Sequence, residues 1–438
     1  MEETWYYVSH GQSLGPVAAE KLHELVAAGT VKADTPVWRH GFADWLPAGQ
    51  VPGLMPAPPP PPTAPPVPPP PGPQPRRHLV HDIGARISEV TDLPTISDVP
   101  VGDIFKAGLS RKTSVNDTER VFIVGTDRTT PELEEIESGW PRPIVFWRIL
   151  AGGVGAYLLL RLLWTEFGNP LALPGIMVVG SFVIPLGAVV FFFEMNAAHN
   201  VSIYQTGKMV LLGGTVSLVA TMVLFRIFSG AGTGDLLPSL LTGVVEETGK
   251  GLALLLMVRA GRYRWQTNGI LFGAAIGAGF AGFESSGYAF RLVLRAFMKY
   301  ADAGQNLDVI AGWMMDSITS RGLLSPGGHV IWAAMIGSAL WKVKGDQPFK
   351  ASMLAHPTVI RRWATAVVLH GLWDADLLRF GGQSQVLFDY AKYGLLILVG
   401  WYITFAILKE ALAEFEGARR MAVTGTLALG GGVSRPAP

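Results

Sequence analysis

Glu246 and Glu247 stand side by side near the middle of an apolar stretch running from Leu236 to Val258. A carboxylate at the centre of a membrane helix costs about 2.5 to 3.5 kcal/mol on insertion scales, so two of them need water, partners or protons. Residue types that can meet those needs recur in the later apolar segments as Glu284, His329, His370 and Asp374. Glutamates and histidines gathered around water are the groups of acid–base hydrolysis, and around a cation they are the ligands of a hydrolytic metal centre.

The spacing directs these groups toward one interior. Gly243, Glu246, Glu247, Lys250 and Gly251 place one glutamate on a face with small residues, and Lys250, one turn beyond Glu246, is placed to neutralise a carboxylate. Gly269, Gly273 and Gly277 repeat every four residues, a strip that permits close backbone approach, with Glu284 nearly on the same face. His329, Ala333 and Gly337 repeat the arrangement, as do Ala366, His370 and Asp374. Asp374, one turn from His370, is expected to orient the imidazole or favour its protonated form. At 1.5 Å per residue, Glu247 and His370 fall near the midplane and Glu284 and His329 about 9 Å inside the outer edge, so a wet pocket open to the outer leaflet is expected. Singly, each residue has a structural account: Glu246 pairing with Lys250, Glu284 as an interhelical donor, His329 on a backbone carbonyl, Asp374 pairing helices. Convergence of four segments is what points to function.

The elements that must position these residues are membrane helices. Of the 438 residues 49% are apolar and 16% charged, with a mean hydropathy of +0.32. The fold class read from this is mainly α: a polytopic bundle of about eight transmembrane helices preceded by a small soluble α+β domain. The spans fall at 144–164, 171–193, 207–228, 236–258, 267–290, 323–341, 362–379 and 387–408. The N-terminus lacks the basic and apolar regions of a signal peptide, so the first 140 residues are expected in the cytosol. Arg259, Arg262 and Arg264, Lys342, Lys344 and Lys350, and Arg419 and Arg420 then all fall inside. Arg291, Arg295 and Lys299 do not, and their spacing suggests a helix lying in the interface. A net charge of +1 argues against nucleic acid, and the absence of cysteine excludes disulfides, thiolate zinc sites and a Cys nucleophile.

Residues 1–54 form an aromatic module in which Trp5-Tyr6-Tyr7-Val8 reads as a strand and Pro16 opens a helix that stops at Gly29. With Gly15-Pro16, Val37-Trp38-Arg39-His40-Gly41 and Trp45-Leu46-Pro47-Ala48, the module resembles the bacterial second type of GYF domain. That resemblance implies a proline-rich peptide partner on Trp5, Tyr7, Trp38 and Trp45. The chain's own linker, residues 55–75, is a candidate, since 14 of the 20 residues from Pro56 to Pro75 are proline; the other account is that the aromatics fill a small core and the prolines space. Residues 76–140 are polar, with a strand-like Val121-Phe122-Ile123-Val124 and an acidic run from Glu132 to Glu137. Arg76, Arg77, Arg111 and Lys112 there have the charge to contact headgroups, or are simply solvated. Residues 411–438 read as a polar tail.

No HExxH and no GxSG occurs, and a GxGD string at Gly232-Thr233-Gly234-Asp235 lies in an expected loop without a Tyr-Asp partner, a chance match. The segment 141–410 resembles the PrsW family of membrane proteases, relatives of the CAAX prenyl endopeptidases. Glu246-Glu247-Thr248-Gly249-Lys250 is similar to its EExxK motif, Phe280-Ala281-Gly282-Phe283-Glu284 to FxxxE, His329 to an isolated histidine and His370-Gly371-Leu372-Trp373-Asp374 to HxxxD. The resemblance implies an integral protein of the bacterial cytoplasmic membrane with both termini cytosolic. Its substrate would be a membrane-anchored single-span protein, an anti-sigma factor in the founding case. Glu284 and Asp374 depart from the histidine and the frequent asparagine of the prenyl endopeptidases, which speaks against prenylated substrates.

Two mechanisms fit these residue types. In the leading one no cofactor is needed: Glu246 or Glu247 acts with a histidine to deprotonate water, while His329 or His370 stabilises the oxyanion or protonates the leaving amine. In the other, Glu247, His329 and His370 hold zinc. A proton-coupled transporter or membrane sensor using the same buried groups is the non-enzymatic alternative, although no inverted repeat is visible between the spans.

Overall fold

In a computed structural model the chain forms two compact units, Met1–Arg76 and Arg77–Pro438, with residues 4–56, 79–110, 114–137, 139–257, 263–300 and 307–429 described. Most of the proline-rich linker, Arg76, Arg77, Arg111, Lys112, Arg259, Arg262 and the Lys299 side chain lie outside the described residues.

The first unit is an antiparallel sheet with one helix: β1 (Thr4–Ser9), β2 (Gln12–Ala18), α1 (Ala19–Ala27), β3 (Pro36–Arg39) and β4 (Leu46–Pro47), in the order β2-β1-β3-β4. Alternation along β1 turns Trp5 and Tyr7 into a core with Leu22, Val37 and Leu54. Pro16 does not open the helix. It lies in β2, an edge strand where a residue without an N–H leaves no inner ladder position unpaired.

The second unit begins with three short helices, α2 (Leu79–Thr91), α3 (Val101–Ser110) and α4 (Val115–Phe122). The expected strand at Val121–Val124 is instead the end of α4. Its start is set at Ser114, whose side chain and that of Asp117 cap each other's backbone N–H groups. These helices dock on the long ones that follow: Trp147 donates to the Phe105 carbonyl at 2.9 Å, Tyr402 to that of Gly84 at 3.1 Å, and Arg361 reaches Asp92 at 2.7 Å.

The long helices are α5 (Phe146–Phe167), α6 (Ala172–Met195), α7 (Ile203–Lys208), which passes through a π turn into α8 (Gly214–Ile227), α9 (Leu236–Met257), α10 (Gln266–Tyr300), α11 (Leu307–Leu324), α12 (His329–Lys344), α13 (Pro357–Asp374) and α14 (Gln383–Leu429). Among the described residues, five helical stretches are long and apolar enough to cross a membrane: Phe146–Phe167, Ala172–Met195, Ile203–Ile227, Asp308–Lys344 and Gln383–Ala422. They coincide with five of the eight expected spans. The other three are α9, α10 and α13, the helices of 22, 35 and 18 residues that carry Glu246 and Glu247, Glu284, and His370 with Asp374.

Other boundaries move. Arg291 and Arg295 belong to α10 itself, which runs unbroken to Tyr300, so there is no separate interface helix. α13 stops at Asp374, short of 379, and α14 continues past 410 to Leu429, burying Ala411 and Phe415 in what read as tail. At the start of α5, the buried Glu194 accepts from the N–H groups of Ile144, Val145 and Phe146 at 2.7 to 2.9 Å, satisfying donors that have no partner inside the helix.

The centre of the bundle is α10, packed against α12 and α6. A Cβ on Gly269, Gly273 or Gly277 would run into the backbone carbonyls of Gly337, Ala333 and His329 respectively, so the glycine strip lies backbone to backbone on the Ala333–Gly337 face of α12. This seam sets Glu284, farther along α10, beside His329 at the start of α12. Gly273→Val should lower stability by about 1 to 3 kcal/mol through overpacking. A thermal midpoint equal to wild type in detergent would show that the seam is not tight.

Candidate active site

α9 enters the bundle between α8 and α13, and its two glutamates divide between two sides. Glu247 and Lys250 are wholly buried and Glu246 is 6% exposed. Lys250 Nζ donates to Glu247 Oε1 at 2.6 Å and to His329 Nδ1 at 2.8 Å, lies 3.7 Å from Glu246 Oε2, and sits 4.4 Å from the centre of the Phe280 ring. One ammonium thus serves two carboxylates and an imidazole in a setting with no bulk water to share the work.

Both histidines have one nitrogen claimed by a carboxylate. His370 Nδ1 lies 2.8 Å from Glu247 Oε1, and His329 Nε2 lies 3.0 Å from Glu284 Oε2. A carboxylate only accepts and an ammonium only donates. In the neutral rings, therefore, His370 carries its proton on Nδ1 and His329 on Nε2; the lone pair of His329 Nδ1 accepts from Lys250, that of His370 Nε2 is left open, and Glu246 Oε2 lies 3.6 and 3.9 Å from His370 Nε2 and His329 Nδ1. Trp332 stacks on His370 with ring centres 4.6 Å apart and fixes the imidazole plane.

Two roles at His370 were open to Asp374, orienting the ring or favouring its protonated form. Glu247 holds Nδ1 at hydrogen-bond distance, while Asp374 lies on the opposite side of the ring, 3.5 Å from Nε2. The i, i+4 spacing does bring Asp374 near the ring, but to the nitrogen that Glu247 leaves open. Lys392 closes the end of α13 by donating to the carbonyls of Trp373 and Ala375.

A cavity of about 740 Å³ opens over these groups, lined by Glu246, Glu284, His329, His370, Asp374 and Arg321 among others. Glu247 is not on its wall; it borders a smaller apolar crevice of about 330 Å³ on the other side of α9. The residue of the pair that meets cavity water is Glu246, and its Oε2 is buried without a hydrogen-bond partner among the described residues. Glu246, His329 and His370 each offer an atom within 4.8 Å of the others, a group able to hold a metal ion. Glu246 replaces Glu247 in the metal set expected from sequence, because Glu247 is turned away and paired. Ligand atoms about 2.0 to 2.2 Å from a tetrahedral zinc lie roughly 3.4 Å apart, close to the two spacings at Glu246. Lys250 occupies the same His329 lone pair, so a bound cation would have to displace that contact.

Arg321, Ser285 and Trp332 escaped the sequence reading. Arg321 Nη2 donates to Glu284 Oε2 at 2.6 Å and its Nε to Ser285 Oγ at 2.9 Å, while its guanidinium lies 4.5 Å from the centre of the Tyr288 ring. It comes from α11, a segment assigned to no span, and its one signal was an arginine just before the Pro326-Gly327-Gly328 break. Of the aromatic residues expected to hold a peptide in the first unit, Trp5 and Tyr7 are core, Trp38 is half-buried and Trp45 is exposed.

A family model described as PrsW family intramembrane metalloprotease matches residues 179–408, just over half of the chain, and one described as GYF domain 2 matches residues 5–54. No curated protein and no solved structure matches. The matched segment holds all six residues singled out from sequence, and neither match favours a transporter or sensor.

Removing Lys250 should leave Glu247 buried without its cation. Lys250→Met is expected to cost about 3 to 5 kcal/mol, the usual penalty for breaking a buried pair from one side. Adding Glu247→Gln should restore part of it. Equal thermal midpoints for wild type and Lys250→Met would show that the ammonium does not neutralise the pair.

Proposed function

The chain belongs to the PrsW family of intramembrane metalloproteases, and from that membership and the geometry of the cavity we propose that it hydrolyses a peptide bond in a membrane-anchored, single-span protein of the anti-sigma-factor kind. The observation that carries the reading is Glu246 on the cavity wall, its Oε2 without a hydrogen-bond partner among the described residues and 3.6 Å from the open Nε2 of His370.

In this reading Glu246 takes the proton of a water in the cavity as that water attacks the scissile carbonyl. His370, held by Glu247 and stacked on Trp332, takes that proton from Glu246 on its open Nε2, 3.6 Å away, and delivers it to the leaving amine, so both groups end as they began. Asp374 on the cavity side favours the protonated ring while that transfer takes place. Arg321 holds Glu284, and Glu284 holds the Nε2 proton of His329, so Nδ1 stays an acceptor. Glu246, His329 and His370 are the residues that would hold a zinc ion, which would acidify the attacking water and polarise the carbonyl. The Lys250–His329 contact supports the version without a metal, and the family description supports the version with one.

The protein is an integral membrane protein. We place it in the bacterial cytoplasmic membrane with both termini in the cytosol. The first unit we read as a module for proline-rich peptides through Trp38 and Trp45, with the chain's own linker among the candidates.

With the full chain and a single-span substrate in vesicles, Glu246→Gln should lower the cleavage rate at least ~10²-fold, and Glu247→Gln about 10- to 100-fold through loss of His370 orientation. Cleavage by Glu246→Gln at the wild-type rate would remove the base from the proposal. Metal analysis of active protein decides between the versions: about one zinc per chain and loss of activity in chelator for the one, full activity without metal for the other.

A further inference from the structure

Between α8 and α9, residues Gly232 to Asp235 form a short non-helical link on the cavity's edge. Thr242 Oγ1 donates to the carbonyl of Gly232 at 2.8 Å. Thr242 precedes Glu246 by four residues on the same face of α9, and Gly232, Thr233, Thr242 and Glu246 line the same cavity. Gly234 bridges in parallel to Ala375: its N–H donates to the carbonyl of Asp374 at 3.1 Å, and its own carbonyl accepts from Asp376 N–H at 2.5 Å. The link is therefore tied at one point to the start of α9 and at the next to the end of α13, the helix that carries His370. Gly234, with φ +101°, takes a conformation that only glycine adopts easily.

Thr233 stands between these two ties. It is exposed and lines the cavity, and its backbone N–H and C=O have no hydrogen-bond partner among the described residues. A membrane-spanning substrate is a helix in which each carbonyl accepts from the N–H four residues on. Water reaches such a carbonyl only once the turn around it opens. Opening strips backbone groups of their partners, and irregular backbone at membrane depth persists only where protein or cavity water satisfies it.

We propose that Thr233 is the main-chain docking edge for the substrate: the scissile segment leaves its helix and pairs, extended, with the N–H and C=O of Thr233, which lays its carbonyl beside Glu246 and His370. This rests on the peptidase reading above. Pairing through the main chain reads no particular side chain. The substrates taken are thus spans whose sequence gives up a helical turn cheaply, with glycine or β-branched residues near the cut, rather than spans bearing one specific residue.

The test uses the full chain in vesicles with a single-span substrate. Thr233→Pro deletes the N–H, and replacement of Thr233 by its α-hydroxy-acid analogue deletes it without adding a ring. Both should raise KM at least tenfold with kcat changed less, at an unchanged thermal midpoint. If the proline variant fails to fold, the ester variant decides. In the wild-type protein, placing two glycines beside the cut should lower KM several-fold. Wild-type KM in a folded ester variant overturns the docking edge alone, because cleavage itself persists. A wild-type chain that cleaves nothing overturns the peptidase reading and the edge with it.

Discussion

The bundle is organised around one electrostatic requirement, the satisfaction of two adjacent carboxylates on α9 by a single buried ammonium. Lys250 reaches Glu247 directly, approaches Glu246, and uses its remaining donor capacity on His329. Such a cluster survives away from water only if every neighbour supplies a charge or a hydrogen bond. α10, α12 and α13 must therefore come close enough for short side chains to meet, and the glycine seams on α10 and at Gly243 and Gly371 between α9 and α13 permit it. Packing and chemistry are in this sense one problem with one solution.

The adjacent glutamates have opposite duties because neighbouring positions on a helix point about 100° apart. Glu246 lines the cavity, whereas Glu247 faces the packed side and orients His370 from behind. Paired carboxylates behind two imidazoles, Glu247 on His370 and Glu284 on His329, assign each ring its tautomer. The cavity receives the open lone pair of His370 and a carboxylate of Glu246, while the lone pair of His329 is taken by Lys250.

Much of this was legible in the sequence wherever spacing alone decided it. The four-residue repeat of Gly269, Gly273 and Gly277 was legible as a strip for close backbone approach, which the structure seats on Ala333 and Gly337, and the span expected at 323–341 holds the helix that starts at His329. What spacing does not carry is the absolute rotation of a helix about its axis, which is why the roles of Glu246 and Glu247 could not be separated and the two roles open to Asp374 at His370 could not be told apart. Arg321 was passed over because the segment before 323 was assigned to no span, and α11 owes its place to packing against α6 and α10. Pro16 and Val121 misled for a local reason: an edge strand tolerates proline, and a capping box outweighs a short β-branched run.

The same glycine seams divide the cavity wall into stiff and compliant parts. Where α8, α9, α10, α12 and α13 meet, backbone abuts backbone or a short side chain, as at Gly214 on Gly279 or Gly249 on Thr221, and such joints have no rotamers to relax into. α11 is built differently: it meets the bundle through side chains, with Ala311, Met314, Met315 and Ile318 in an apolar cluster with Tyr157, Ile176 and Ala289, Thr319 on Tyr157 and Arg321 on Glu284. Side chains have rotamers to exchange where abutting backbones have none, so the more compliant stretch of the wall is the one that carries Arg321.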